Sequence, residues 1–149
     1  MNKIFVKTEN VKGFINLIYN LKNKPDNIIK LSCKSIDDLF KYWLLFLKPF
    51  NHLTNKEMEV AVEFLKKRHE LSSVINDDYI LDSVIMNTDT KRSIREACGL
   101  PPTHFQIIIG KLRKNKFIID NRRNPKFIPN IADSKGSLQL LLYFDMSDE

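Results

Sequence analysis

Hydrophobic residues recur at helical spacing through the middle of the chain. In the stretch LTNKEMEVAVEFLKKRHEL, residues 53–71, the apolar positions Met58, Val62 and Leu65 are three or four residues apart, which predicts one buried helix face. Thr54 is followed three residues later by a glutamate, and this pair is typical of a capping box at a helix start. The pattern therefore predicts a helix that begins just after Thr54.

The same spacing predicts helices on either side of this one. One should begin at Ser35, whose hydroxyl can accept hydrogen bonds from free backbone amides, and should end near Pro49. Another covers DDYILDSVIM, residues 77–86. Its inward-facing residues are predicted to be Tyr79, Leu81 or Ile80, and Val84.

The stretch KRSIREACGLPPTHFQIIIGKLRKNKFII, residues 91–119, predicts two helices joined by a tight turn. Gly99 can adopt the left-handed conformation that ends the first helix, and Pro101 and Pro102 lack the amide hydrogens that a helix start cannot pair. The second helix should run from Pro102 to Asn115. The inward-facing residues are predicted to be Ile94, Ala97 and Cys98 in the first helix and Phe105, Ile108, Ile109 and Leu112 in the second.

Short runs of β-forming residues predict strands near both ends and after the last helix. KIFVK at residues 3–7 and NIIKLSC at residues 27–33 flank a predicted helix, VKGFINLIYNLKN. Residues 117–131 read as two short strands joined by a basic loop, and the apolar run at residues 140–144 reads as a buried strand. We expect this last strand to return to the N-terminal region and pair there.

Positive charge is concentrated in one part of the chain. The 149 residues carry a net charge of +6. Residues 91–126 contain ten basic residues against Glu96 and Asp120, a net charge of +8, so the remainder of the chain has a net charge of −2. Charge localised in this way is typical of a surface that binds a polyanion. The alternative is an ordinary solvated basic face.

Other classes of protein are disfavoured by the same sequence. Its apolar runs are much shorter than the roughly 20 residues of a membrane span, and its first residues do not form a secretion signal, so we expect a cytoplasmic protein. Cys33 and Cys98 lack partners at metal-ligand spacing and are interpreted as small buried residues. Adjacent aspartates occur where helices start, which explains them better than acid-base catalysis. We expect no enzymatic activity, no cofactor, no metal and no small-molecule ligand.

The predicted order of helix, helix, turn, helix and hairpin, with the segment KRSIREACGLPPTHFQIIIGKLRKNKFI, resembles the winged helix-turn-helix family of DNA-binding domains. The resemblance covers residues 53–131. It implies an α+β, mainly helical fold, in which a winged helix-turn-helix domain follows an accessory α/β region at residues 1–52. A C-terminal strand and tail would occupy residues 132–149.

The resemblance also implies a role for individual residues in binding double-stranded DNA, most naturally as a small transcriptional regulator that could form a homodimer or bind a protein partner. The helix after the turn would lie in the major groove, the hairpin would reach the backbone or the minor groove, and the preceding helix would flank the groove. The implied contacts are Thr103, His104, Gln106 and Ile107 to base edges, Lys111, Arg113 and Lys114 to phosphates, Arg122, Arg123 and Lys126 at the wing tip, and Lys91, Arg92 and Arg95 beside the groove.

Ile107 and a cluster of aromatic residues leave a different function open. Ile107 stands where the family usually has a polar or basic residue; it could contact a thymine methyl group or belong to a protein interface. His104 could be an ordinary surface histidine. The aromatic residues Tyr42, Trp43, Phe46 and Phe50 are interpreted as core, but they could instead form an interface. The alternative function is a winged-helix interaction or structural module of a larger assembly, such as a viral packaging or virion component or a polymerase-associated subunit.

Overall fold

The structure is a computed structural model that describes residues 31–129 and residue 131. Residues 33–129 form one compact unit. The helix predicted within residues 11–23, the strands predicted at residues 3–7 and 140–144, and the predicted pairing of the tail lie outside the described residues. Of the strand predicted at residues 27–33, the described residues 31–33 have no regular secondary structure.

The described part is mainly helical and contains one small antiparallel sheet, which confirms the predicted α+β class with helices predominant. The helices are α1 (Ile36–Phe46), α2 (Lys48–Asn51), α3 (Asn55–Ser72), α4 (Asp78–Ile85), α5 (Thr88–Ala97) and α6 (Pro102–Lys114). A hairpin of β1 (Ile118–Ile119) and β2 (Arg122–Arg123) follows, and then a 3-10 turn at Pro125–Phe127.

Side-chain caps set the helix starts. The Ser35 hydroxyl accepts a hydrogen bond from the Asp38 amide at 3.2 Å, as predicted for α1. The Thr54 hydroxyl accepts from the Glu57 amide at 3.3 Å while the Glu57 carboxylate accepts from the Thr54 amide at 3.0 Å, which confirms the capping box. Helix α5 begins three residues before its predicted start because the Asn87 side chain caps it.

Helix α3 lies at the centre of the core. Its residues Val60, Ala61 and Phe64 are completely buried, and α1, α4, α5 and α6 all pack against it. The predicted inward positions Met58, Val62 and Leu65 are buried as well. Burying a large apolar side chain contributes about 1.5–3 kcal/mol, so this helix supplies a large share of the core.

The predicted facing of α4 and α5 was partly wrong. Leu81 is buried as predicted, but Tyr79 is 63% exposed because it lies two residues, or about 200° of helix rotation, from Leu81. Val84 is half-buried. In α5, Ile94 is buried as predicted, whereas Ala97 is exposed.

The cysteines also differ from the expectation that both are buried. Cys33 is exposed and Cys98 is half-buried, and neither is in a disulfide. Burial, reinforced by the nearby carboxylate of Glu63, raises the pKa of the Cys98 thiol, so this thiol is neutral at physiological pH.

The hairpin confirms two short antiparallel strands but corrects the predicted basic loop. Asp120 and Asn121 form a tight two-residue turn with φ of 50° and 57°, which are the left-handed values that such hairpin turns require. Arg122 and Arg123 therefore lie in β2 rather than in the loop, paired with Ile119 and Ile118.

A buried ion pair attaches the hairpin to the helices. The Arg123 side chain, in a residue only 2% exposed, donates a hydrogen bond to the Asp82 carboxylate of α4. Arg68 of α3 lies 3.9 Å from the same carboxylate and 2.7 Å from that of Asp78. Burial and the positive charge of Arg68 lower the pKa of Arg123 to about 9, so Arg123 is still protonated at neutral pH.

A second long-range hydrogen bond joins the ends of the described unit. The indole nitrogen of Trp43 in α1 donates to the carbonyl oxygen of Phe127 at 2.9 Å. The buried Asn51 side chain bonds to Leu44 and Leu53, which fixes the path from α1 to α3. The predicted division between residues 52 and 53 thus falls within one compact unit.

We predict that Asp82→Ala will lower the free energy of unfolding by about 3–5 kcal/mol, because it leaves the Arg123 guanidinium charged and buried without its partner. Urea unfolding followed by circular dichroism measures this change. The matched control is Asp89→Ala, which removes an exposed carboxylate paired with Arg92 and should change stability by less than about 1 kcal/mol.

The double variant Asp82→Leu/Arg123→Met distinguishes a lost ion pair from general damage to the site. It replaces both charges with apolar side chains and should recover much of the stability lost in Asp82→Ala. An Asp82→Ala protein that unfolds at the parent's urea concentration would contradict the role given to this pair.

Candidate nucleic-acid interface

The turn between α5 and α6 directs the second helix away from the first. Gly99 has a φ of 60°, and its amide donates to the Glu96 carbonyl at 3.0 Å while the Leu100 amide donates to the Arg95 carbonyl at 3.1 Å. These two bonds form a Schellman motif, which confirms the predicted left-handed end of α5. Pro101 directly precedes α6, which begins at Pro102.

Helix α6 has one buried face, made of the four residues predicted for it: Phe105, Ile108, Ile109 and Leu112. The opposite side carries a line of exposed residues spaced four, three and four positions apart, which places them on one face. We call this line the outer stripe. It consists of Thr103, Ile107, Gly110 and Lys114.

Polar and basic residues lie on both sides of the outer stripe. By helical spacing His104 and Lys111 lie on one side, and Gln106 and Arg113 lie on the other; all four are exposed. Helix α6 contains no acidic residue. Within the described part of the chain, no carboxylate lies within ion-pair distance of its basic side chains.

A shallow groove of about 260 Å³ separates α5 from the start of α6. Lys91, Arg92 and Arg95 line it on one side and Gln106 on the other. Arg92 contacts Asp89 at 3.4 Å and Arg95 contacts Glu96 at 3.3 Å. Such surface pairs are worth only about 0–1 kcal/mol, so an approaching anion can compete for both arginines.

The hairpin presents fewer basic side chains than expected. Arg122 is exposed and its guanidinium lies 4.2 Å from the centre of the Tyr79 ring, a cation–π contact that joins β2 to α4. Lys126 is exposed as well. Arg123, expected at the wing tip, is instead buried against Asp82, and the tip is made of Asp120 and Asn121.

The structure thus brings twelve of the thirteen expected residues to the surface or its edge, and withdraws Arg123. Two exposed residues of this region were not among those expected at the surface: Tyr79, which was predicted to face the core, and Gly110 of the outer stripe. The signal for Gly110 was present: a glycine inside a helical pattern is costly and needs a reason.

A separate apolar patch lies on α1 and α2. Tyr42, Phe46 and Phe50 are 41–43% exposed, so the interpretation of these aromatic residues as core was wrong for three of the four. Leu45 is exposed beside them and also lines a shallow, open depression of about 830 Å³ with Pro49 and Leu53. Trp43 is half-buried through its bond to Phe127. We call Tyr42, Leu45, Phe46 and Phe50 the apolar patch.

The described part of the chain shows neither a metal-binding cluster nor a membrane-spanning helix. No group of three or more histidine, cysteine, aspartate or glutamate side chains is placed to hold a metal ion there. None of the helices described is both long and apolar enough to cross a membrane. Comparisons with protein-family models, curated proteins and solved structures produced no match.

We predict opposite effects on stability for alanine at the two glycines of this region. Gly99→Ala should lower the free energy of unfolding by about 1 kcal/mol, because an L-residue is strained at a φ of 60°. Gly110→Ala should raise it by about 0.5–1 kcal/mol, because Gly110 lies inside a helix and no described atom is within 4 Å of the added methyl group. Urea unfolding of both variants checks the pair, and a stabilised Gly99→Ala protein would contradict the turn geometry.

Proposed function

We propose that this chain binds double-stranded DNA as a winged helix-turn-helix protein and serves as a small transcriptional regulator, with α6 in the major groove. The observation that carries the proposal is the outward face of α6, which is exposed, contains no acidic residue and has basic side chains near it on α5, on α6 and in the hairpin. A phosphate backbone on either side of the groove would meet positive charge from both directions.

The dimensions of α6 suit this role. Its 13 residues make a helix about 20 Å long, and the DNA major groove is about 12 Å wide and admits an α-helix. In this arrangement Thr103 and Ile107 of the outer stripe point at the base pairs. Gln106 and His104 reach base edges from the two sides, and the Gln106 amide can pair with adenine through two hydrogen bonds.

Phosphate contacts come from residues further out. Lys111 and Lys114 lie in the last turn of α6, where they also offset the negative end of the helix dipole. Arg122 is oriented by its contact with Tyr79, and the α5 groove offers Arg92 and Arg95. Arg123 has no place in this set, because its side chain is completely buried and holds the hairpin in position.

A second candidate function is supported by the apolar patch. Exposed aromatic side chains close together are typical of protein interfaces. They favour a winged-helix module that docks onto another protein, or a homodimer whose two copies of α6 read two half-sites. The first arrangement would leave α6 without a role in DNA binding, whereas the dimer would keep it.

We predict that duplex DNA binding will weaken steeply with salt and that Lys114→Ala and Arg122→Ala will each make the dependence shallower. Removing one phosphate contact changes the slope of log affinity against log salt concentration by about 0.9. Fluorescence anisotropy with random-sequence duplex over a series of salt concentrations measures both slopes. Lys41→Ala, an exposed lysine on α1, is the matched control and should retain the parent slope.

The absence of duplex binding by the parent protein at low salt would contradict the proposed function and would leave the docking module as the better account. Parent-like slopes in both variants would show that Lys114 and Arg122 belong to an ordinary solvated surface.

We predict a different outcome for Gln106→Ala. The loss of a bidentate contact should reduce discrimination between the preferred site and random duplex by about 1–3 kcal/mol, while affinity for random duplex remains nearly the same. The measurement is a competition titration with a duplex selected by the parent protein from a random pool. Equal losses on both duplexes would assign Gln106 to phosphate contact instead.

A further inference from the structure

Glycine at residue 110 lowers the stability of α6, and nothing in the described structure requires it. It lies inside the helix, where glycine is less favourable than alanine, and its φ is not in the left-handed region that would require glycine. No described atom lies within 4 Å of where a side chain would begin, so close packing inside the described part of the chain does not require glycine either. Because glycine has no side chain, the backbone of α6 is uncovered at this outward position.

Ile107 is the neighbour of Gly110 on the outer stripe, three residues earlier. It is 57% exposed, whereas Ile108 and Ile109 of the same run are buried in the core. An isoleucine side chain has no hydrogen-bonding group, and it therefore gains nothing from water or from a phosphate. It gains from contact with another apolar group.

We propose that Ile107 contacts the 5-methyl group of a thymine and that Gly110 allows the helix backbone to approach the base pairs closely enough for this contact. The inference rests on the proposed function and names what the outer stripe recognises. The thymine methyl is the apolar group that the four ordinary bases display in the major groove. A side chain at residue 110 would stand between the helix and the DNA.

The charges around this pair of residues favour DNA over an apolar protein surface as the occupant. Lys111 is adjacent to Gly110 in sequence, Lys114 continues the outer stripe, and α6 carries no acid to offset them. An apolar protein partner would have to bury these ammonium groups or leave them at its edge, whereas DNA places phosphates on both sides of the contacted bases.

The experiment compares one duplex with its uracil counterpart. The duplex is selected for binding from a random pool by the parent protein, and the counterpart carries deoxyuridine at every thymidine, which removes the methyl groups and keeps the hydrogen-bonding edges. We expect the parent to bind the uracil duplex about fourfold more weakly for each methyl group contacted, the effect of burying one methyl-sized group. Ile107→Ala should bind the thymine duplex more weakly and should no longer distinguish the two.

One variant serves as a control and a second tests the role of Gly110. The control, Ile80→Ala, removes a similarly exposed isoleucine from α4 and should retain the parent's preference. Gly110→Ala should melt at a higher temperature than the parent and yet bind both duplexes at least severalfold more weakly. A purely structural role for residue 110 would not produce this combination of higher stability and weaker binding.

Each negative result in these binding experiments overturns a different part of the proposal. Equal binding of the thymine and uracil duplexes by the parent would overturn the methyl contact while leaving DNA binding intact. Parent-like affinity of Gly110→Ala would overturn the close approach of the backbone. Unchanged DNA affinity of Ile107→Ala would overturn the contact between Ile107 and the DNA, and no binding of either duplex at low salt would overturn the proposed function itself.

Discussion

The burial of α3 is the constraint on which the rest of the described structure depends. Val60, Ala61 and Phe64 have no contact with solvent, and four other helices obtain their positions by covering this one. Helix α6 is among them. Because its apolar face is committed to the core, its opposite face must point outward, and the outer stripe is a direct consequence of that packing.

The hairpin depends on a different kind of interaction. Two-residue strands supply little stability by themselves, so β2 is held by the contacts that its two arginines make with α4. Arg123 does this through a buried charge pair with Asp82, and Arg122 through the ring of Tyr79. Arg123 is therefore not available to contact DNA, whereas Arg122 is exposed to solvent in a defined orientation.

Helices α3 and α6 were predicted well from the sequence, because apolar residues recur at helical spacing in both and both have clear start signals. The buried face of α6 and the left-handed Gly99 followed from the same signals. The facing of Tyr79 did not, because an eight-residue helix with apolar residues on several sides has more than one plausible face. The burial of Arg123 could not be predicted from local sequence either, because its partner Asp82 is 41 residues away in sequence.

The proposed function requires the outward face of α6 to be the surface that meets DNA. Its most direct test is a titration of isotope-labelled protein with the selected duplex, followed by amide chemical-shift changes in NMR spectra. We expect the largest changes at Thr103, Ile107 and Gly110, with smaller ones at Arg122, and none on the apolar patch of a monomer. Changes confined to the apolar patch, or none anywhere, would contradict it.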